Sequence, residues 1–206
     1  MLDNKSLVTV FQPMVDLRTG AVVGHEALIR TPRTVGEWTY EDLLLAAKEQ
    51  HYQRQFELGC VEFAIEHFLA DQPKGQLFVN ISAYTLVQMQ ESGGTDAFLQ
   101  ILRKHKLQPK RMGLDITGYT RIPSVTTLID AITPLRAAGM AVALDDFKVS
   151  DNSMRVWTQA AAQHCQSGRT LDAQCRYPDG KQRHVQQPGA PYPEPRLCVA
   201  GQIGRD

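Results

Sequence analysis

Short apolar runs alternate along the chain with longer stretches in which apolar residues recur every three or four positions. Residues 7–11 read as a strand stopped by Pro13, and residues 21–29 as a second strand. The turn-forming stretch 16–20 between them allows an antiparallel first pair. Residues 39–47 open like a capped helix, with Thr39 ahead of Glu41 and Asp42. Residues 53–69 set Phe56, Cys60, Phe63, Ala64, Ile65 and Phe68 at helical spacing. Residues 77–82, 112–117 and 140–146 read as further strands, and 96–105 and 125–138 as helices, the last despite Pro134.

Strand and helix alternate, and the strands are nearly continuous apolar runs, which argues a parallel sheet covered by helices. Polar residues fall where these strands end: Glu26, Asn80, Asp115, Asp145 and Asp146. The expected fold is α/β, the first five strands of an incomplete TIM-type β/α barrel, whose carboxyl strand ends carry the chemistry. After Trp157 the pattern stops. Residues 158–206 hold only five Val, Ile, Leu, Met or Phe but five of the eleven prolines, so an irregular or disordered tail is expected there. The proline-rich run 186–195 fits neither helix nor central strand. The division expected is residues 1–157 as a partial domain and 158–206 as tail.

Composition adds little. Apolar residues make up 43% and the net charge is zero, so charge gives no argument for a DNA, RNA or membrane partner. The amino terminus has no apolar run of signal-peptide type, and a cytoplasmic protein is expected. Cys165, Cys175 and Cys198 lie in the tail near His164 and His184, but their spacing matches no zinc pattern.

The strand-end residues are hard oxygen donors. Brought together they suit Mg²⁺ or Mn²⁺ rather than zinc, and a pair of such cations can activate water against a phosphodiester. Four motifs in order now bear on this. Residues 11–16 (Phe-Gln-Pro-Met-Val-Asp) precede residues 24–30, which contain Glu26-Ala27-Leu28. Val79-Asn80-Ile81-Ser82, Leu114-Asp115-Ile116-Thr117 and Ala143-Leu144-Asp145-Asp146-Phe147 follow. This series resembles the EAL domain family over residues 7–157. The resemblance implies a β/α barrel that hydrolyses cyclic di-GMP to pGpG with two divalent cations, and is often homodimeric. It implies metal ligands at Glu26, Asn80, Asp115, Asp145 and Asp146, and substrate contacts at Gln12, Leu28 and Arg30.

The chain departs from the family pattern in several places. Asp115 stands where the family has glutamate, Gly118 replaces a second glutamate, and residues 148–153 stand where a glycine-rich loop is usual. The later Lys-hydrophobic-Asp, Ala-Glu-Gly and Gln motifs are absent. A permitted coding of residues 160–168 with the first base of the Arg169 codon, read from its second base, gives Leu-Gln-Pro-Asn-Ile-Val-Lys-Val-Asp, a strand of the type the family has next. A one-base shift near Gln159 is therefore expected to underlie the tail. Catalysis is expected to be impaired. The alternative is a degenerate module that binds cyclic di-GMP or a protein partner without turnover.

Overall fold

Asp16 builds the first turn. Its carbonyl accepts the Gly20 amide at 2.8 Å, its amide donates to the Ala21 carbonyl at 2.9 Å, and its carboxylate accepts the Thr19 amide at 3.3 Å. Gly20 lies at φ +69°, in the left-handed region that favours glycine. The turn folds β1 (Val8–Asp16) back on β2 (Val22–Arg30) as an antiparallel pair, with Gln12 opposite Glu26 and Val8 opposite Arg30. The computed structural model describes residues 7–16, 19–31, 38–71, 74–145, 156 and 159, and the backbone of 164–166 and 196–200.

The remaining order follows the alternation of the sequence. Thr39 caps α1 (Tyr40–Glu49) through a capping box with Asp42, and α2 (Gln53–Asp71) leads to β3 (Gln76–Ser82). Then come α3 (Ala83–Glu91), α4 (Asp96–Lys104), β4 (Met112–Thr117), α5 (Val125–Ala137) and β5 (Ala141–Leu144). Strands β2 to β5 are parallel neighbours in chain order. The expected α/β architecture with an antiparallel first strand is thus present.

Three expectations change. The first strand does not stop at Pro13 but runs on to Asp16. A proline is tolerated where the outer edge of a strand lacks a partner, and the strand on that side pairs with β1 only from Met14 to Asp16. Helix α3 was not legible from periodicity. It is started by Ser82, whose hydroxyl accepts the Thr85 amide at 3.2 Å. Finally, the expected five strands are joined by two from the tail, β6 (His164–Gln166) and β7 (Arg196–Ala200). They pair with β5, with each other and with β1, closing a seven-stranded ring. The run Leu197-Cys198-Val199-Ala200 is apolar enough to pair once past Pro195, a signal masked by the polar average around it. The proline-rich run itself and residues 167–195 lie outside the described residues.

Two layers of core hold the ring. Outside it, Leu77, Val79, Ile81, Leu114, Ile116, Val142 and Leu144 are buried with Ile65, Phe68, Leu86, Leu128 and Ile132 of the helices. Inside, Met14, Phe78, Ala141 and Ala143 form a small floor. Phe78 fits because its neighbours have no side chains. A Cβ on Gly113 would lie 2.4 Å from the Phe78 ring, and one on Gly24 would lie 2.5 Å from the Gln76 carbonyl and 2.9 Å from the ring. Gly113→Val should therefore lower unfolding stability by about 1–3 kcal/mol through overpacking, and Phe78→Leu should relieve part of that loss. Urea melts of the two single variants and the double variant measure this. Additive losses would show that the ring is not what excludes a side chain at position 113.

Candidate functional site

The inner face above Phe78 turns polar. Glu26 stands two residues beyond Gly24 on β2, Asn80 two beyond Phe78 on β3, and Asp115 two beyond Gly113 on β4. Side chains in a strand alternate between faces, so each of these polar residues shares the inner face with the residue below it. Asn80 and Asp115 are direct register partners, and Ala143 stands opposite Asp115 on β5. Asp145 follows β5, its amide continuing the ladder to the Ile116 carbonyl at 3.1 Å.

The side chains meet. Asn80 Nδ2 donates to Glu26 Oε1 at 2.9 Å, which leaves its Oδ1 as an acceptor. Asp115 is fully buried, and neither carboxylate oxygen has a hydrogen-bond partner among the described residues. Burial first, then the negative charges of Glu26 and Asp145, push the Asp115 carboxyl well above the usual carboxylate range. Buried carboxylates are ordinarily hydrogen-bonded, paired or bound to metal. A carboxylate with no donor among the described residues, near two more carboxylates and the Asn80 amide, is part of a set of hard oxygen ligands that fits a divalent cation. The structure therefore brings Glu26, Asn80, Asp115 and Asp145 together. Asp146 lies outside the described residues.

The three positions matched to substrate contacts sit beside and above this set. Gln12 is half-buried opposite Glu26. Leu28 and Arg30 continue the Glu26 face toward the mouth, Leu28 half-buried and Arg30 exposed with Nη1 donating to the Ile29 carbonyl at 3.0 Å. Register adds two residues that pattern reading missed. Val10 pairs with Leu28 and Val8 with Arg30, and the two valines are 46% and 43% exposed. Together they make an apolar ledge next to a guanidinium. Nothing in the strand's own sequence marks them, because only the pairing to β2 places them at the mouth.

Other candidate groups belong to the scaffold. Burial, with the charge of Glu57 second, pushes the Cys60 thiol up to about 12, so Cys60 stays protonated and inert. On the outer surface Glu62, Glu66 and His105 place three ligand atoms within 4.8 Å of one another. Lys104 already sits on the same Glu62 oxygen that His105 Nε2 reaches at 2.9 Å. The hydrogen bonds from Lys104, then His105, hold Glu62 below its usual range, and the cluster ties the end of α4 to α2. Among the described residues no helix is long and apolar enough to cross a membrane.

Comparison with known proteins bears on the family and the fold. A family model described as "EAL domain" matches residues 1–164. The Escherichia coli protein named "Probable cyclic di-GMP phosphodiesterase PdeB" is 25% identical over 161 residues, covering 74% of this chain and 30% of that protein. The chain thus spans less than a third of the length of this curated relative. Among solved structures, the MucR phosphodiesterase of Pseudomonas aeruginosa in complex with c-di-GMP superposes with a TM-score of 0.64 at 23% identity, covering 79% of this chain and 69% of the other. Klebsiella pneumoniae BlrP1 with manganese and cyclic di-GMP superposes with a TM-score of 0.63 at 20% identity, covering 79% and 40%. At these identities the superpositions speak for the fold.

Proposed function

Because the chain belongs to the EAL domain family, we propose that it is an EAL-type cyclic di-GMP phosphodiesterase domain that keeps its cation and nucleotide sites but does not hydrolyse cyclic di-GMP above background. The observation that carries this reading is the row of buried Glu26, half-buried Asn80 and buried Asp115, with the Asp115 carboxylate lacking any donor among the described residues. The resemblance matches Gln12, Leu28 and Arg30 to the family's substrate contacts and Glu26, Asn80, Asp115, Asp145 and Asp146 to its metal ligands.

The residues divide the work by depth. Glu26, Asn80, Asp115 and Asp145 would hold Mg²⁺ or Mn²⁺, with Asn80 orienting the Glu26 carboxylate through its Nδ2. Divalent cations bound there would supply polarisation of water and of the scissile phosphodiester. Arg30 offers a guanidinium suited to a phosphate, and Val8, Val10 and Leu28 offer an apolar surface for a purine face. Turnover is impaired because the Lys-hydrophobic-Asp motif that the family carries on the strand after Asp145-Asp146-Phe147 is not found in residues 158–206. A one-base shift near Gln159 accounts for that loss.

Binding is tested by thermal stabilisation. Cyclic di-GMP with Mn²⁺ should raise the melting temperature more than either alone, and Glu26→Ala should remove the response to Mn²⁺. A shift untouched by Glu26→Ala would place the cation elsewhere and sink the reading. Arg30 is exposed, so Arg30→Ala should leave the melting temperature unchanged. It should weaken cyclic di-GMP binding roughly 10–100-fold, the loss of one charge-assisted contact. Titration calorimetry measures that, and unchanged affinity would remove Arg30 from the nucleotide site.

A further inference from the structure

One buried carboxylate is left unused by the site as described. Glu57, on α2, is only 1% exposed. Its Oε1 accepts the Ser82 backbone amide at 3.0 Å, and its Oε2 accepts the Ser82 hydroxyl at 2.8 Å. Gln53, one turn earlier on the same helix, donates Nε2 to the Ser82 hydroxyl oxygen at 2.8 Å and lies 3.5 Å from Glu57 Oε2. The same hydroxyl oxygen accepts the Thr85 amide at the start of α3. Ser82 thus gathers α2, the end of β3 and the first turn of α3 at one point.

These donors are neutral, and burying a carboxylate among neutral groups is a costly way to join a helix to a strand. An apolar contact would join them as well without the desolvation cost. The carboxylate does something an apolar contact does not. It grips both the backbone amide and the side chain of a single residue, which fixes the position and the rotation of the strand end. Ser82 is two residues beyond Asn80 on β3. The Asn80 amide must hold one orientation to donate to Glu26 while presenting Oδ1 to a cation.

We propose that Glu57 is a positioning residue for the cation site, acting through Ser82 to hold the carboxyl end of β3 and with it Asn80. The inference rests on the reading of Glu26, Asn80, Asp115 and Asp145 as cation ligands. Residues that orient metal ligands from behind commonly change metal affinity 10–100-fold when altered. Glu57→Gln keeps the shape and most of the packing but exchanges one acceptor oxygen for a donor. It should weaken Mn²⁺ binding by roughly 10-fold or more. Ser82→Ala should do the same, and the double variant should be no weaker than the worse single one, because both act through one contact. Ser82→Thr keeps the hydroxyl and should bind Mn²⁺ close to the parent level.

Free Mn²⁺ counted by electron paramagnetic resonance gives these affinities without any need for turnover. Leu102→Ala, a buried change on α4, is the control for general destabilisation. It should lower the melting temperature and leave Mn²⁺ affinity alone. Parent-like Mn²⁺ affinity in both Glu57→Gln and Ser82→Ala would overturn the proposal, as would a loss in Leu102→Ala equal to theirs. Should Glu57→Gln fail to fold, Ser82→Ala and its threonine counterpart decide the matter. A parent chain that binds no Mn²⁺ would overturn the cation-site reading and this inference together, so the parent titration separates the two failures.

Discussion

Given cyclic di-GMP and saturating Mn²⁺ or Mg²⁺, the purified chain should release pGpG no faster than a Glu26→Ala variant. A positioned general base alone is worth about 10²–10⁴ in rate. The Lys-hydrophobic-Asp strand that would help hold the attacking water and the cations is not found in residues 158–206. A complete family domain assayed in parallel should therefore exceed this chain by about 10³-fold or more. Steady pGpG production that disappears in Glu26→Ala would refute the expectation. The complementary experiment removes one base near codon 160. The resulting chain should regain the Lys-Val-Asp strand and show hydrolysis that the present chain lacks. If it gains neither stability nor turnover, the tail is a divergent extension and the reading shift should be abandoned.

The second large effect concerns Asp115. Its carboxyl has no donor among the described residues, is fully buried, and faces the charges of Glu26 and Asp145. The sign follows from a folded-state pKa raised above the unfolded one. The fold then binds the proton more tightly than the unfolded chain does, so stability falls as pH rises from the ordinary carboxylate value to the raised one. Without cations, Asp115→Asn should remove that fall and exceed the parent in stability at pH 8 by about 1–3 kcal/mol. For a domain of this size that is roughly 2–12 °C in melting temperature. Mn²⁺ reverses the order. At about 100 times its dissociation constant it should add about 2.7 kcal/mol to the parent and little to the variant. Melting curves across pH 5–8, with chelator and with Mn²⁺, show whether the two lines cross. A variant less stable than the parent in chelator at every pH would mean that Asp115 has a donor after all.

The parts legible in sequence are those whose neighbours are set by strand periodicity. Asn80 and Asp115 could be placed near carboxyl strand ends because each lies two residues before the end of its strand, and parallel strands bring such ends together. Glu26, expected at a strand end, stands mid-strand in Val22–Arg30 because the apolar run continues through Ala27, Leu28 and Ile29. Val8 and Val10 could not be placed, since their position at the mouth follows from an antiparallel register that one strand's sequence does not state. Glu57 was hidden for a different reason. On a helix of mixed polarity a buried glutamate resembles a surface one until its partner, 25 residues away, is known. Strands β6 and β7 were missed because three and five residues are too few to establish a period.

The Phe78 ring, packed against Gly24 and Gly113, forms a floor beneath the acidic row on the inner face of the described strands. The acidic row lies below Leu28 and Arg30, so a nucleotide seated on those residues would stand between bound cations and bulk water. Cations would have to load before the nucleotide and depart after it. Chelator added to a preformed ternary complex should strip Mn²⁺ at the rate the nucleotide leaves, not at the faster rate seen in its absence. A floor opened by Phe78→Ala would give the ions a back door and uncouple the two departures.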